Sequence, residues 1–515
     1  MTSTDPRPFK ILILGGGTAG WIAASLMSKR WGGAFRGRAI EIEVVESPDI
    51  GIVGVGEGST PQLKSLFDYL GISEAQWMPH CHATYKIGIE FRNWSRRPGF
   101  EHYFHPFPCD LDDRTTPGFY FNSRIRRNGG DVPAHPDAFF LSTRLARDKC
   151  GPIPARNFPF QQSYGYHFDA HLIGKYLRQW AVARGVKHTQ ATVDDVRLDE
   201  QGDIADIHCR DLGEIAADLF VDSTGFRSLL LQGALHERFL PFASNLFNDA
   251  AVVTPSPAEQ GPRSCQTTAT ALSAGWVWRI PLTERVGNGY VYSSRYIDKE
   301  QAESELRAHL GLDLDQPLRH LSMKVGRVER CWVRNCLAVG LSQGFIEPLE
   351  ATALHLVQET VERFIEALEA DDLGRAQQAA FNQRIARRFE GIRDYIVCHY
   401  RVNGRDDSPY WRDCAANDEL SDSLRHLLEV WFAGGDLREE IQRQQIGDHY
   451  SLASWHCLLA GYGVFPDPAQ LKPYDGRHGQ IDLATVADFI SRCALNYPPH
   501  AEQLARLESA AERCG

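Results

Sequence analysis

The sequence has no long apolar run, no basic block and no paired-cysteine motif, and each absence removes a class of protein. The first apolar stretch, ILIL after MTSTDPRPFK, is four residues. That is far short of the roughly 20 that cross a bilayer and shorter than the core of a secretory signal, so no membrane segment is expected. Acidic residues outnumber basic ones, 66 to 55, for a formal charge of −11. Without a Lys/Arg stripe, such a chain carries no electrostatic footprint for nucleic acid. The 12 cysteines include no CxxC pair and no cluster at zinc spacing, so no metal site is expected. Even the nearest two, Cys331 and Cys336, read as core thiols. A reduced, cytoplasmic protein is the expectation. What is present is ordinary: 515 residues, 43% apolar and 23% charged, enough for a large core in two or three domains.

The first recognisable pattern is FKILILGGGTAGWIAASLMSKRW, a buried strand, a glycine turn and a helix, followed by AIEIEVVES as a second strand. Gly15, Gly17 and Gly20 fall at GxGxxG spacing. The first makes the tight turn, the second lets the backbone approach a pyrophosphate, and the third lets helix and strand pack closely. The helix start, at Thr18 and Ala19, adds free N–H groups and a positive dipole end. Glu46 ends the second strand, where it can accept hydrogen bonds from ribose hydroxyls and disfavour a 2′-phosphate. Dinucleotide binding is therefore expected.

Later segments return to this architecture. DDVRLDEQGDIADIHCRDLGEIAADLFVDSTGF alternates like two or three antiparallel strands and ends in a buried strand running into Asp222 and Gly225. Such an ending either abuts a cofactor or is a plain turn. NCLAVGLSQGFIEPLEATALHLVQETVERFIEAL reads as a strand, a loop and a long helix, and the chain from about residue 370 is mostly helical by pattern. NAD and FAD both satisfy the glycine fingerprint. FAD is favoured because GVGEGSTP (54–61), VDSTGF (221–226) and AVGLSQGFIEPLE (338–350) lie far apart, whereas a nicotinamide enzyme keeps its fingerprint in one contiguous domain.

Six motifs occur in order: GGGTAGW at 15–21, GVGE at 54–57, ATYK at 83–86, HPF at 105–107, WVWRIP at 276–281 and PLEAT at 348–352. With these the chain resembles the flavin-dependent halogenases of the tryptophan-halogenase type. The resemblance is firm over residues 8–365 and looser beyond. It implies an α/β fold, a FAD-binding Rossmann-like box of the flavin monooxygenase and halogenase kind, with a mainly helical C-terminal subdomain covering the substrate. The expected division is a core with an inserted antiparallel sheet at 1–370 and a helical region at 371–515. It implies FAD, delivered as FADH2 by a separate flavin reductase, with O2 and halide as co-substrates. In that family a flavin hydroperoxide oxidises halide to hypohalous acid. The cofactor residues it implies are Gly15, Gly17, Thr18, Ala19, Gly20, Glu46, Gly56, Glu57, Val193, Asp222, Leu341 and Leu354.

The resemblance also assigns the chemistry. Trp276 and Trp278, two apart on one face of a strand, either are core aromatics or wall the flavin off from the organic substrate. Lys86 is the expected catalytic residue, with Tyr85, Ile87 and Ile89 around it to desolvate its ammonium. A neutral amine would form a haloamine, and a charged one would hydrogen-bond hypohalous acid; both stay open. An exposed strand-edge lysine is the plain alternative. Glu350 is the second catalytic residue, stabilising the arenium and taking its proton, although a carboxylate there also suits a helix N-terminus. Glu347 lies outside the family position. Thr352 and Ala353 are expected to bind halide through backbone N–H groups. Ala351 and Ala353 replace the serine and glycine more usual in the tryptophan enzymes, which points to an altered halide preference.

For the substrate, His105 and Phe107 match residues that stack on an indole. The stretch GDHYSLASWHCLLAGYG supplies Tyr450 and Trp455 but no Tyr-Tyr pair to clamp an amino acid. Indole or an indole-like arene is therefore expected ahead of free tryptophan. Partners are a reductase, a small aromatic and a halide ion, and a homodimer is expected. Two alternatives stand: an FAD-dependent aromatic hydroxylase, and a flavin-binding protein without turnover.

Overall fold

The computed structural model describes residues 7–49, 51, 57–313, 315–370, 376–474, 476 and 481–513. Contacts divide the chain into two units, each assembled from three segments. The first comprises Met1–His82, Phe168–Phe242 and Lys324–Glu390; the second comprises Ala83–His167, Ala243–Met323 and Gly391–Gly515. These units cross the expected boundary at residue 370. Strand pairing between distant segments, which carries no local sequence signal, draws the division.

In the first unit the strand Phe9–Leu14 is buried at every position but Lys10, as befits a strand covered on both faces. It pairs in parallel with Arg38–Glu46 on one side and Leu219–Asp222 on the other, in register Ile11↔Ile42 and Ile11↔Leu219. Lys187–Gln190 and Cys336–Ala338 extend the parallel sheet outward, and Trp332–Val333 closes one edge antiparallel. Glu46 and Asp222 thus end neighbours of the same central strand, at the carboxyl edge where open α/β sheets bind ligands. The helix Thr18–Trp31 packs against Ala170–Val182 and Ala353–Ala370. Val193–Leu198, Ile204–Cys209 and Gly213–Ala216 form the expected antiparallel three-stranded sheet.

The second unit is organised by a seven-stranded sheet in the order Arg319–Ser322, Ala250–Pro257, Arg285–Tyr292, Gly275–Pro281, Thr267–Ala271, Gly88–Arg92, His102–Pro106. All its pairs are antiparallel except Thr267–Ala271 with Gly88–Arg92. Val252, Val277, Tyr290, Tyr292, Ala302 and Leu306 pack as one apolar cluster beside the helix Lys299–Leu310. The expected C-terminal helices follow, among them Asp422–Phe432, Leu452–Gly461 and His500–Glu512. No helix among the described residues is long and apolar enough to cross a membrane.

Candidate active site

The glycine turn is built around both exclusion and space. Gly15 has φ +110°, and a Cβ there would lie 2.2 Å from the Ser223 carbonyl oxygen. A Cβ on Gly20 would meet the Gly15 carbonyl oxygen at 2.1 Å. Neither position admits a side chain. Gly17, immediately before the helix, has nothing within 4 Å of its Cβ position. Two glycines therefore serve packing, and the third leaves open space at the first amides of a 14-residue helix, which fits a pyrophosphate.

Gly16, passed over by the spacing rule, is equally constrained, since a Cβ would fall 1.6 Å from Glu46 Oε2. Its lack of a side chain lets the Glu46 carboxylate reach the turn. His188 Nε2 lies 2.6 Å from Glu46 Oε1, and Arg178 Nη1 donates to the same oxygen at 3.3 Å. Open amides beside a fixed carboxylate are the donor and acceptor set that an adenosine dinucleotide requires. The residues fit FAD.

Two distant segments close on the same helix. A Cβ on Gly340, at φ +64°, would lie 2.7 Å from Ala19 Cβ, so the turn Gly340–Ser342, with Leu341, lies against the first helical turn. The helix Ala353–Ala370 packs on the same helix, and Leu354 lies in its first turn. Val193 starts its strand next to Thr192, whose hydroxyl is 3.1 Å from that of Ser47, just past Glu46. Glu57 is partly buried, and burial together with the Asp169 charge raises its carboxyl to about 7. Gly56 lies outside the described residues.

Asp222 ends its strand at the carboxyl edge of the sheet. Its buried carboxylate accepts from Thr224 N and Oγ1, Ser342 Oγ, Leu230 N and Leu231 N at 2.7–3.0 Å. It ties the loop after its own strand to the 340–342 turn.

The PLEAT segment forms a short turn, Pro348–Glu350, ended by Ala351 in the left-handed region at φ 55°. The Thr352 carbonyl accepts from Leu356 N at 3.0 Å, which makes Thr352 the residue capping the helix and sets Thr352 and Ala353 at its positive end. Glu350 is 6% exposed and Glu347 1%, so burial alone does not separate the expected acid from its neighbour.

In the second unit Lys86 ends the short strand Thr84–Lys86, which pairs with Gly165–Phe168 in register Lys86↔Gly165. It is fully buried, which removes the strand-edge alternative. Its Nζ stands 5.3 Å from the centre of the Phe107 ring, within the range where a ring face attracts an ammonium. The Phe107 N–H donates to the Ile87 carbonyl at 2.8 Å, so the backbone itself fixes this ring beside the lysine. His167 is held well below the usual imidazole range by burial and then by the Lys86 cation. The expected catalytic lysine and an expected arene-stacking ring thus come together.

The two strand tryptophans share a face but differ. Trp276 packs on Trp94 with ring centres 6.5 Å apart, an aromatic core contact. Trp278 lies 6.1 Å from Trp276 and over Gly289, where a Cβ would meet its ring at 2.1 Å. Its indole N–H has no hydrogen-bond partner among the described residues. Both tryptophans are buried, Trp276 at 1% and Trp278 at 6% exposure, so burial does not separate a core role from a barrier role for either.

A sequence model described as tryptophan halogenase matches residues 10–474. The chain belongs to the tryptophan halogenase family. It is 37% identical over 522 residues to the 7-chloro-L-tryptophan 6-halogenase KtzR of Kutzneria sp. (strain 744), covering 96% of this chain and 99% of that one. Among solved structures it is similar to Xcc4156, a flavin-dependent halogenase from Xanthomonas campestris, with a TM-score of 0.84, 34% identity and coverage of 97% and 98% of the two chains. It is also similar to BrvH, a flavin-dependent halogenase from Brevundimonas sp. BAL3, with a TM-score of 0.81, 33% identity and coverage of 98% and 100%. The chain is a flavin-dependent halogenase, and hydroxylation is the disfavoured alternative.

In this halogenase three of the four expected substrate residues gather around one that sequence reasoning missed. Tyr395 stacks on Tyr450 with ring centres 3.5 Å apart and 6° between planes. Trp455 meets it at 4.8 Å and 72°, and His105 at 6.2 Å and 85°. A residue inside an amphipathic helix gives no sequence signal of this kind, because its apolar spacing is accounted for by core packing alone.

Proposed function

We propose that this enzyme is a two-component halogenase that uses FADH2 from a separate reductase to chlorinate or brominate an indole-type arene. The observation that carries the reading is the buried Lys86 Nζ beside the Phe107 ring. When bound, reduced FAD supplies the electrons with which O2 becomes an oxidant for halide, giving hypohalous acid. The open amides after Gly15 and the Glu46 carboxylate would hold its pyrophosphate and ribose, and the amides of Thr352 and Ala353 would hold the halide. Trp276 and Trp278 are proposed to exclude the arene from the flavin ring.

Lys86 then receives the halogen. As an ammonium it donates a hydrogen bond to the oxygen of HOX and polarises the O–X bond. As an amine it exchanges a proton for X⁺ and releases water. In either case the arene carbon attacks X, and the net change is ArH + HOX → ArX + H2O. Glu350 takes the proton from the arenium carbon. His105, Phe107, Tyr450 and Trp455 present flat or edge-on rings to an electron-rich arene. The relatives named for tryptophan substrates support an indole ring; the missing tyrosine pair favours indole or an indole derivative without the amino-acid group. A cytoplasmic location and a homodimer belong to the same proposal.

The test supplies a flavin reductase, NADH, FAD, O2 and indole, with bromide, with chloride and without halide. Halogenated indole, recognised by its isotope pattern, is expected only where halide is present. Oxygenated indole in halide-free buffer would replace this reading with a hydroxylase.

A further inference from the structure

We infer that Tyr395 is a substrate-positioning residue, which orients the ring surface that receives the arene; the inference rests on the reading that the arene binds among His105, Tyr450 and Trp455. Tyr395 lies on the helix Gln378–Arg401 and is fully buried. Its ring stacks flat on Tyr450 at 3.5 Å, and its hydroxyl donates to the Ser454 carbonyl at 3.0 Å. Trp455, next in sequence to Ser454, meets the same ring edge-on, as does His105 from the strand His102–Pro106.

One side chain therefore touches three ring residues contributed by two remote segments. Tyr450 lies between the helices Leu437–Gln444 and Leu452–Gly461, with no regular element of its own to set its ring plane. The flat contact with Tyr395 braces that plane, together with an edge contact to Trp455 at 6.5 Å. The hydroxyl bond to Ser454 fixes the first turn of the helix that carries Trp455. An arene recognised by its faces and edges depends on these ring planes, because offset-stacked and edge-on contacts are directional. A flat, electron-rich bicyclic ring is the ligand class such a surface suits.

The test compares Tyr395→Leu, Tyr395→Phe, Tyr450→Leu and the double Leu variant. The readouts are indole binding by calorimetry, KM and kcat for bromination, and the FAD dissociation constant. An aromatic pair of this kind corresponds to a change of up to about tenfold. Tyr395→Leu is expected to raise Kd and KM for indole by about that factor, with kcat and FAD binding changed by less than about twofold. Tyr395→Phe keeps the stack and is expected to restore most of the loss. If the buried Tyr395→Leu variant does not fold, Tyr450→Leu removes the same stack together with Tyr450's own ring at the arene and is expected to raise Kd and KM by at least that factor. Where both fold, the double variant is expected to lose less than the product of the two single effects, since the stack is a contact they share.

Unchanged indole binding in a folded Tyr395→Leu or Tyr450→Leu variant would overturn the inference, as would equal losses in kcat and FAD affinity. Wild-type enzyme that binds indole but does not halogenate it would overturn the proposed reaction while leaving this inference to be judged on binding. Failure of the wild-type enzyme to bind indole would overturn both.

Discussion

The two units solve their binding problems with different parts of the chain. The first uses backbone: Gly15 and Gly20 remove side chains where carbonyls press in, and Gly17 opens the helix amides. The second uses side chains that meet across the sequence, with Lys86 against Phe107 and Tyr395 against Tyr450, Trp455 and His105. Backbone recognition accepts a part of the ligand common to many cofactors, the pyrophosphate. Recognition by converging rings is where one arene can be told from another. A family can therefore keep the first device nearly constant while the second varies.

Substitutions can break this contrast in order of severity. Lys86→Ala is expected to abolish enzymatic halogenation, by roughly 10³-fold or more, with flavin reoxidation intact, because the lysine belongs to the second unit's chemistry alone. Product formation and flavin absorbance, followed in one assay, separate the two. Gly15→Ala is expected to fail at the earlier step, and halogenation is lost with the flavin. It places a Cβ 2.2 Å from a carbonyl oxygen, so FAD binding falls below detection by fluorescence titration or the protein fails to fold. Glu350→Gln is expected to slow turnover about 10²-fold, the usual order for one acid–base group, with indole and FAD binding retained in direct titrations.

The smaller effects concern stability. Glu57 has its carboxyl raised to about 7 from the usual 4.5 by burial and by Asp169. Between these values the unfolded chain has released the proton that the folded chain still holds, so this group lowers stability as pH rises through the window and not below it. Glu57→Gln is expected to match wild type in melting temperature at pH 4.5 and exceed it at pH 8, by a few kcal/mol at most. An equal difference at both pH values would remove the carboxyl as the cause. Ala351→Gly relieves a left-handed alanine and is expected to add up to about 1 kcal/mol of stability, measured by denaturant unfolding. Loss of stability instead would mean that the turn before the proposed halide-binding amides needs the side chain.

The sequence made the first unit legible because its signals are local. The run FKILIL, the glycine turn and an acid at the end of the next strand lie within 46 residues, and the βαβ geometry follows from them. Gly16 escaped because its constraint comes from Glu46 folding back on the turn, not from the GxGxxG rule. Asp222 read as a cofactor neighbour from its place at a strand end; that its carboxylate also ties Thr224, Leu230, Leu231 and Ser342 together carried no local signal. The interleaving of the two units was not legible. The parallel pairing of Thr267–Ala271 with Gly88–Arg92 joins segments about 175 residues apart, and neither strand carries a mark of its partner. Tyr395 was hidden for the same reason.

The separation of halogen generation from halogen transfer is tested most directly by a crystal structure of the enzyme with FAD and indole bound. The expected result is an indole packed on Phe107 and His105, a ring carbon within reach of Lys86 Nζ, and no contact with the isoalloxazine. An indole lying directly against the flavin ring, away from Lys86, would contradict it.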